Sequence, residues 1–82
     1  MDDIRQDLTL MLLYLNSWAE GEPGYKYRRS WKGYDFDDLN ALAEDELIID
    51  SRKAKSVVLS ADGEEKALEL LRKFGISTPH SS

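Results

Sequence analysis

Two runs of strand length, Leu47-Ile48-Ile49 and Ser56-Val57-Val58-Leu59, stand on either side of a polar link of about six residues. Both are rich in β-branched side chains, so the pattern predicts a β-hairpin. The segments before and after it read as helices. The expected fold is therefore α+β, with about three helices and a two-stranded hairpin before the last one. A chain of 82 residues has room for one core, because on folding it buries only roughly 60 to 65% of its surface. Residues 1–76 are expected to form that domain and residues 77–82 a C-terminal tail.

Ile4, Leu8, Met11, Leu12, Leu15 and Trp18 follow the i, i+4, i+7, i+8 spacing of one helical face. With Asp2 or Asp3 as cap, they predict a first helix to about Glu20. Leu10, Leu13 and Tyr14 point elsewhere around the same cylinder. A helix apolar nearly all round is buried on more than one side, so these three residues are read as the face of a homodimer. Gly21-Glu22-Pro23-Gly24 disfavours helix and strand alike and predicts a loop. Tyr25 to Tyr34 has no defensible helical period, and its secondary structure stays open. Asp35 reads as the N-cap of a second helix, Phe36 to about Glu46, with Asp38 in the place of a capping-box acid. Phe36, Leu39, Leu42 and Ala43 give that helix a core face, and Asp37, Asp38, Glu44 and Asp45 an acidic outer one. Ser60 caps the last helix, whose inward side chains are Ala67, Leu68, Leu71 and Phe74. Gly75-Ile76 resembles a Schellman stop.

Leu39-x-x-Leu42 running into Leu47-Ile48, and Val57-x-Leu59-Ser60-x-x-Gly63 opening the last helix, resemble the second half of winged-helix regulators over roughly residues 36 to 74. The resemblance implies that the hairpin is the wing and that Ser60 and Gly63 begin the closing helix. The pattern departs in two respects: one helix rather than two precedes the recognition-helix position, and the helix at that position is acidic outside. The motif Trp31-Lys32-Gly33-Tyr34-Asp35-Phe36-Asp37, with Lys53-Ala54-Lys55-Ser56-Val57, is also similar to a family of short bacterial proteins of unknown function. That likeness implies bacterial origin and brings no activity with it.

The net charge is −5, but its distribution matters more. Four of the eleven cations lie between Tyr25 and Tyr34 and three between Ser51 and Lys55, stretches without an acid. The rest of the chain carries four cations against sixteen anions, a background that repels a polyanion the two islands would attract. Cysteine is absent, which excludes disulfides, thiolate zinc sites and thiol nucleophiles. The start Met1-Asp2-Asp3 lacks the basic opening of a secretory signal. The apolar run Leu8 to Leu15 falls far short of the roughly 20 residues that cross a bilayer. A cytoplasmic protein without a membrane span is expected.

Lys26, Arg28, Arg29 and Lys32 could meet phosphates while Tyr25, Tyr27 or Trp31 stacks on a base. A domain this small also needs its large side chains inside, which weighs towards Trp31, Tyr34 and Phe36 closing the core. Arg52, Lys53 and Lys55 at the hairpin tip suit contact with a nucleic-acid backbone, or protection of an edge strand. The second helix offers acids where base reading needs Arg, Lys, Asn or Gln. Asp35, Asp37 and Asp38 could hold a cation, yet capping accounts for them. The single histidine, His80, lies in the tail, and there is no Gly-rich phosphate loop. The sequence therefore predicts a non-enzymatic domain with no cofactor or metal. It contacts nucleic acid with little sequence specificity through Lys26, Arg28, Arg29, Lys32, Arg52, Lys53 and Lys55. The alternative is a protein-interaction module, in which the islands meet an acidic partner and Trp31 or Tyr27 anchors the contact.

Overall fold

The computed structural model describes residues 4–51 and 53–76, with Tyr25 as backbone only. Asp2 and Asp3, Arg52 and the 77–82 tail lie outside the described residues. In chain order the elements are α1 (Ile4–Leu15), β1 (Trp18–Glu22), β2 (Tyr25–Trp31), α2 (Phe36–Glu44), β3 (Ile48–Asp50), β4 (Ser56–Leu59) and α3 (Ala61–Lys73). The fold is α+β: three helices on one face of a four-stranded antiparallel sheet of order β1-β2-β4-β3.

The expected hairpin is present as β3 and β4, with Ile48 opposite Leu59 and Asp50 opposite Val57. It is half of the sheet. The stretch expected as the end of a helix, a loop and an unassigned segment forms a second hairpin, with Trp18 opposite Arg29 and Glu22 opposite Tyr25. Its turn narrows to Pro23-Gly24, and Gly24 takes a φ of 93° that glycine alone adopts freely. β2 joins the hairpins by pairing with β4, Arg28 opposite Leu59 and Trp31 opposite Ser56. Helix α1 therefore stops at Leu15 instead of near Glu20. Ser17 N–H turns back to the Tyr14 carbonyl, and Trp18 onward spends its backbone groups on β2. The winged-helix resemblance thus reaches the hairpin and the closing helix but does not supply β1 and β2.

The helices start and stop where local chemistry places them. The Asp35 carboxylate accepts the Asp37 N–H at 2.9 Å, and the Ser60 hydroxyl accepts the Gly63 N–H at 3.0 Å. Both α2 and α3 end in a Schellman pair: Leu47 N–H to Leu42 O and Glu46 N–H to Ala43 O in one, Ile76 N–H to Leu71 O and Gly75 N–H to Arg72 O in the other.

The core reverses the expected face of α1. Leu10 and Leu13 are fully buried, with Met11 and Tyr14 beside them, whereas Ile4, Leu8 and Leu12 are about half exposed. Leu10, Leu13 and Tyr14 are thus core residues, not a dimer face, because the layer that α1 packs on is the sheet together with α2 and α3. Leu39 and Leu42 from α2, Leu47, Ile48, Val57 and Leu59 from the sheet, and Ala67, Leu70 and Leu71 from α3 complete the core. Phe36, expected inside, is 73% exposed, and Phe74 also lies outside. Asp38, expected on an acidic outer face, is buried and meets Arg5 of α1 at 3.4 Å, which ties α1 to α2.

Candidate functional site

Side chains alternate across a strand, so each strand here sends one set to the helices and one to the opposite side. Ser30, Val57, Leu59 and Ile48 are buried on the helix side. The other set comprises Trp18, Glu20 and Glu22 of β1, Tyr27, Arg29 and Trp31 of β2, Ser56 and Val58 of β4, and Ile49 of β3. No helix among the described residues covers this outer face. Trp31 is 62% exposed and Ile49 62% exposed. Trp18 lies against Trp31 at 4.9 Å between ring centroids with a 45° tilt, an aromatic contact across the two strands.

Charge on this face is balanced internally. Arg29 donates to Ser56 Oγ at 2.8 Å, lies 3.6 Å from the Glu20 carboxylate, and places its guanidinium 5.8 Å from the Tyr27 ring. The Trp18 indole N–H donates to the same Glu20 oxygen at 2.9 Å. Glu22 is exposed on the edge strand.

The candidate cations from the sequence scatter. Arg28 points to the helix side, donating from Nε to Ser17 Oγ at 2.6 Å and from its terminal nitrogen to Ser17 O at 2.8 Å, with its guanidinium 5.8 Å from the Tyr14 ring. It fastens the α1–β1 junction. Lys32 forms a half-buried ion pair with Asp50 at 2.5 Å and donates to Ser51 O at 2.7 Å. Lys26, Lys53 and Lys55 are exposed. In an antiparallel sheet of this order the β1–β2 turn and the β3–β4 turn lie at opposite ends, so Lys26 is a sheet length from Lys53 and Lys55. The two basic islands do not form one patch. The outer aromatic row was nonetheless legible: Tyr27, Arg29 and Trp31 alternate at period two after a Pro-Gly turn, a hairpin signal.

Among the described residues no group of three or more His, Cys, Asp or Glu side chains is placed to hold a metal ion. Asp35 and Asp38 meet Arg5 instead. No helix among the described residues is long and apolar enough to cross a membrane.

Fold and face together define a class: a two-layer α+β domain with helices on one side of an antiparallel sheet and, on the other, an aromatic face that no helix covers among the described residues. The chain belongs to the family described as a domain of unknown function, DUF6429, whose model matches residues 1–77. No curated protein and no solved structure matches it.

Proposed function

We propose that this domain is a non-catalytic interaction module, that its working surface is the outer face of the sheet, and that its partner is a protein. One observation carries the reading: Trp31, 62% exposed, sits beside Trp18 on a sheet face that no described helix covers. A small domain that leaves a large aromatic side chain outside forgoes core stability at that position. Exposed aromatics on a rigid element are the usual anchors of a protein contact.

Nucleic acid is the weaker reading. Of the cations that would meet phosphates, Arg28 is spent on Ser17, Lys32 on Asp50 and Arg29 on Glu20 and Ser56. Lys26, Lys53 and Lys55 remain exposed but sit at opposite ends of the sheet. Next to the aromatic row lies Glu22, exposed on the edge strand, whose charge repels a phosphate chain.

The test is photocrosslinking in the source cells with a benzophenone side chain replacing Trp31, and with the same group replacing Glu65, exposed on α3, as control. A nuclease-resistant protein adduct at position 31 and none at position 65 is expected. A nucleic-acid adduct at position 31, or equal labelling at both positions, overturns the reading.

A further inference from the structure

We infer that the open edge of β1 takes up an extended segment of another protein as a further strand of the sheet, one that carries cations at alternate positions. The edge adjoins the outer face, but the inference needs only the edge and stands without the reading above.

In the order β1-β2-β4-β3, β1 lies at one margin of the sheet. Glu22 pairs with Tyr25 across the turn Pro23-Gly24, and in a hairpin this tight the residues that close the turn exchange both backbone hydrogen bonds. Bonded and non-bonded pairs then alternate along the ladder. Glu22, Glu20 and Trp18 therefore give their backbone groups to β2, whereas Ala19 and Gly21 turn theirs to the open side. The N–H and carbonyl of each form one row of donors and acceptors. Ala19 and Gly21 are both exposed, and no other backbone group among the described residues bonds to that row. Their side chains are a methyl group and a hydrogen, which shield nothing.

The row has definite ends. Before it the Ser17 carbonyl accepts from Arg28, and after it Pro23 has no N–H to give. Edge strands are commonly blunted by lysine or proline within the strand. Between Trp18 and Glu22 there is neither. Backbone groups left open in this way are what an added strand binds.

Charge names the occupant. Glu20 and Glu22 alternate onto one side of β1, and the strand holds no cation. Arg29 meets Glu20 from the β2 side, while Glu22 is exposed and has no ion-pair partner among the described residues. A strand laid along the edge sets every second side chain next to these carboxylates, where opposite charge stabilises the pairing. Lys26 and Arg28 alternate to the helix side. Cations are therefore favoured at every second position of the added strand and not along its whole length.

A second copy fits this edge less well. The two-fold antiparallel pairing that uses the whole row sets Ala19 of one copy against Gly21 of the other, and Glu20 then lies directly against Glu20. Like charges so placed destabilise a strand pair, and Arg29 stands behind each carboxylate rather than between them.

The experiment selects random octapeptides displayed on phage against the immobilised chain at about 50 mM salt, where surface charge is weakly screened. A synthetic copy of the enriched peptide is then measured by fluorescence anisotropy and amide NMR. Enriched peptides are expected to carry Lys or Arg two positions apart, and to shift the Ala19 and Gly21 amides and protect them from exchange. N-methylation of alternate residues is expected to abolish binding in one frame and spare it in the other, because only one edge of the peptide faces β1. Ala19→Pro removes an N–H that points away from β2, so the fold is expected to persist by circular dichroism while affinity falls at least roughly tenfold. Glu22→Lys is expected to weaken binding at least roughly threefold, and Leu8→Lys, on α1, to bind as wild type.

Failure to enrich any peptide overturns the proposal, as does enrichment of peptides without cations at alternate positions. Wild-type affinity in folded Ala19→Pro overturns it too. Binding that both N-methylated frames affect equally does the same, and this arm decides the matter with no change to the protein. A dimer of the chain that Ala19→Pro dissolves would give the edge to a second copy and likewise overturn the assignment.

Discussion

Gly63 lies in the first turn of α3 directly against the backbone of Leu47, where a Cβ would overlap the Leu47 carbonyl oxygen. The neighbouring Ser60 hydroxyl holds the same junction, donating to the Glu46 carbonyl at 2.7 Å while it caps the Gly63 N–H. A backbone contact cannot give way as a flexible side chain can. Gly63→Ala is therefore expected to destabilise the domain by about 1 to 3 kcal/mol, read as a lower midpoint in urea. Glu46 shows the opposite case, because it closes α2 with a φ of 61°, a conformation that costs a residue with a Cβ about 1 kcal/mol. Glu46→Gly should raise the same midpoint. Glu64 has a pKa raised from its ordinary value of 4.5, chiefly because burial disfavours its charge, with the nearby Arg28 guanidinium pulling the other way. A raised carboxyl pKa means that the folded state favours the proton. The stability this group contributes is thus full below pH 4.5 and is lost as pH rises through the folded value. NMR titration should place the Glu64 midpoint above that of an exposed glutamate, and higher still in Arg28→Met.

At the scale of elements, the α1–β1 junction decides most of what the sequence left open. Arg28 on β2 reaches across to the Ser17 hydroxyl and carbonyl, holding the chain where it leaves α1 and enters the edge strand. Hydrogen bonds from a charged donor are worth about 1.5 to 3 kcal/mol each, so Arg28→Met is expected to loosen β1 before the rest of the sheet. Hydrogen exchange should show the β1 amides losing protection while those of β4 keep theirs. The two rows of α1 show why this region resisted reading from sequence. Ile4-Leu8-Leu12 and Leu10-Leu13-Tyr14 are both apolar and both fit helical spacing, so periodicity gives a helix without saying which side is inside. The choice falls to the sheet, α2 and α3, which together take the second row.

For the molecule as a whole, the −5 charge and the separation of its exposed lysines govern what it attracts. Labelled random-sequence DNA, duplex or single-stranded, is expected to show no saturable rise in anisotropy with this protein from about 50 to 200 mM salt, because binding that neutralises several phosphates needs a contiguous cationic surface. Steeply salt-dependent binding would return the nucleic-acid reading to first place. The same fold disperses the cations that the sequence grouped as candidate contacts. Proximity in sequence placed Arg28 and Arg29 side by side, yet strand alternation sends them to opposite faces of the sheet.

The hairpin β3–β4, the caps at Asp35 and Ser60 and the stop at Gly75 were legible because each depends on residues a few positions apart: side-chain branching, a capping oxygen, a left-handed glycine. The burial of Leu10 rather than Leu8, the exposure of Trp31 and Phe36, and the enlargement of a two-stranded hairpin to four strands depend on β2 finding β4 from the other side of α2. That pairing joins segments distant in sequence, and neither carries a local mark of the other. The candidate surface exists only because the pairing turns one side of the sheet to the helices and leaves the other without a covering helix among the described residues.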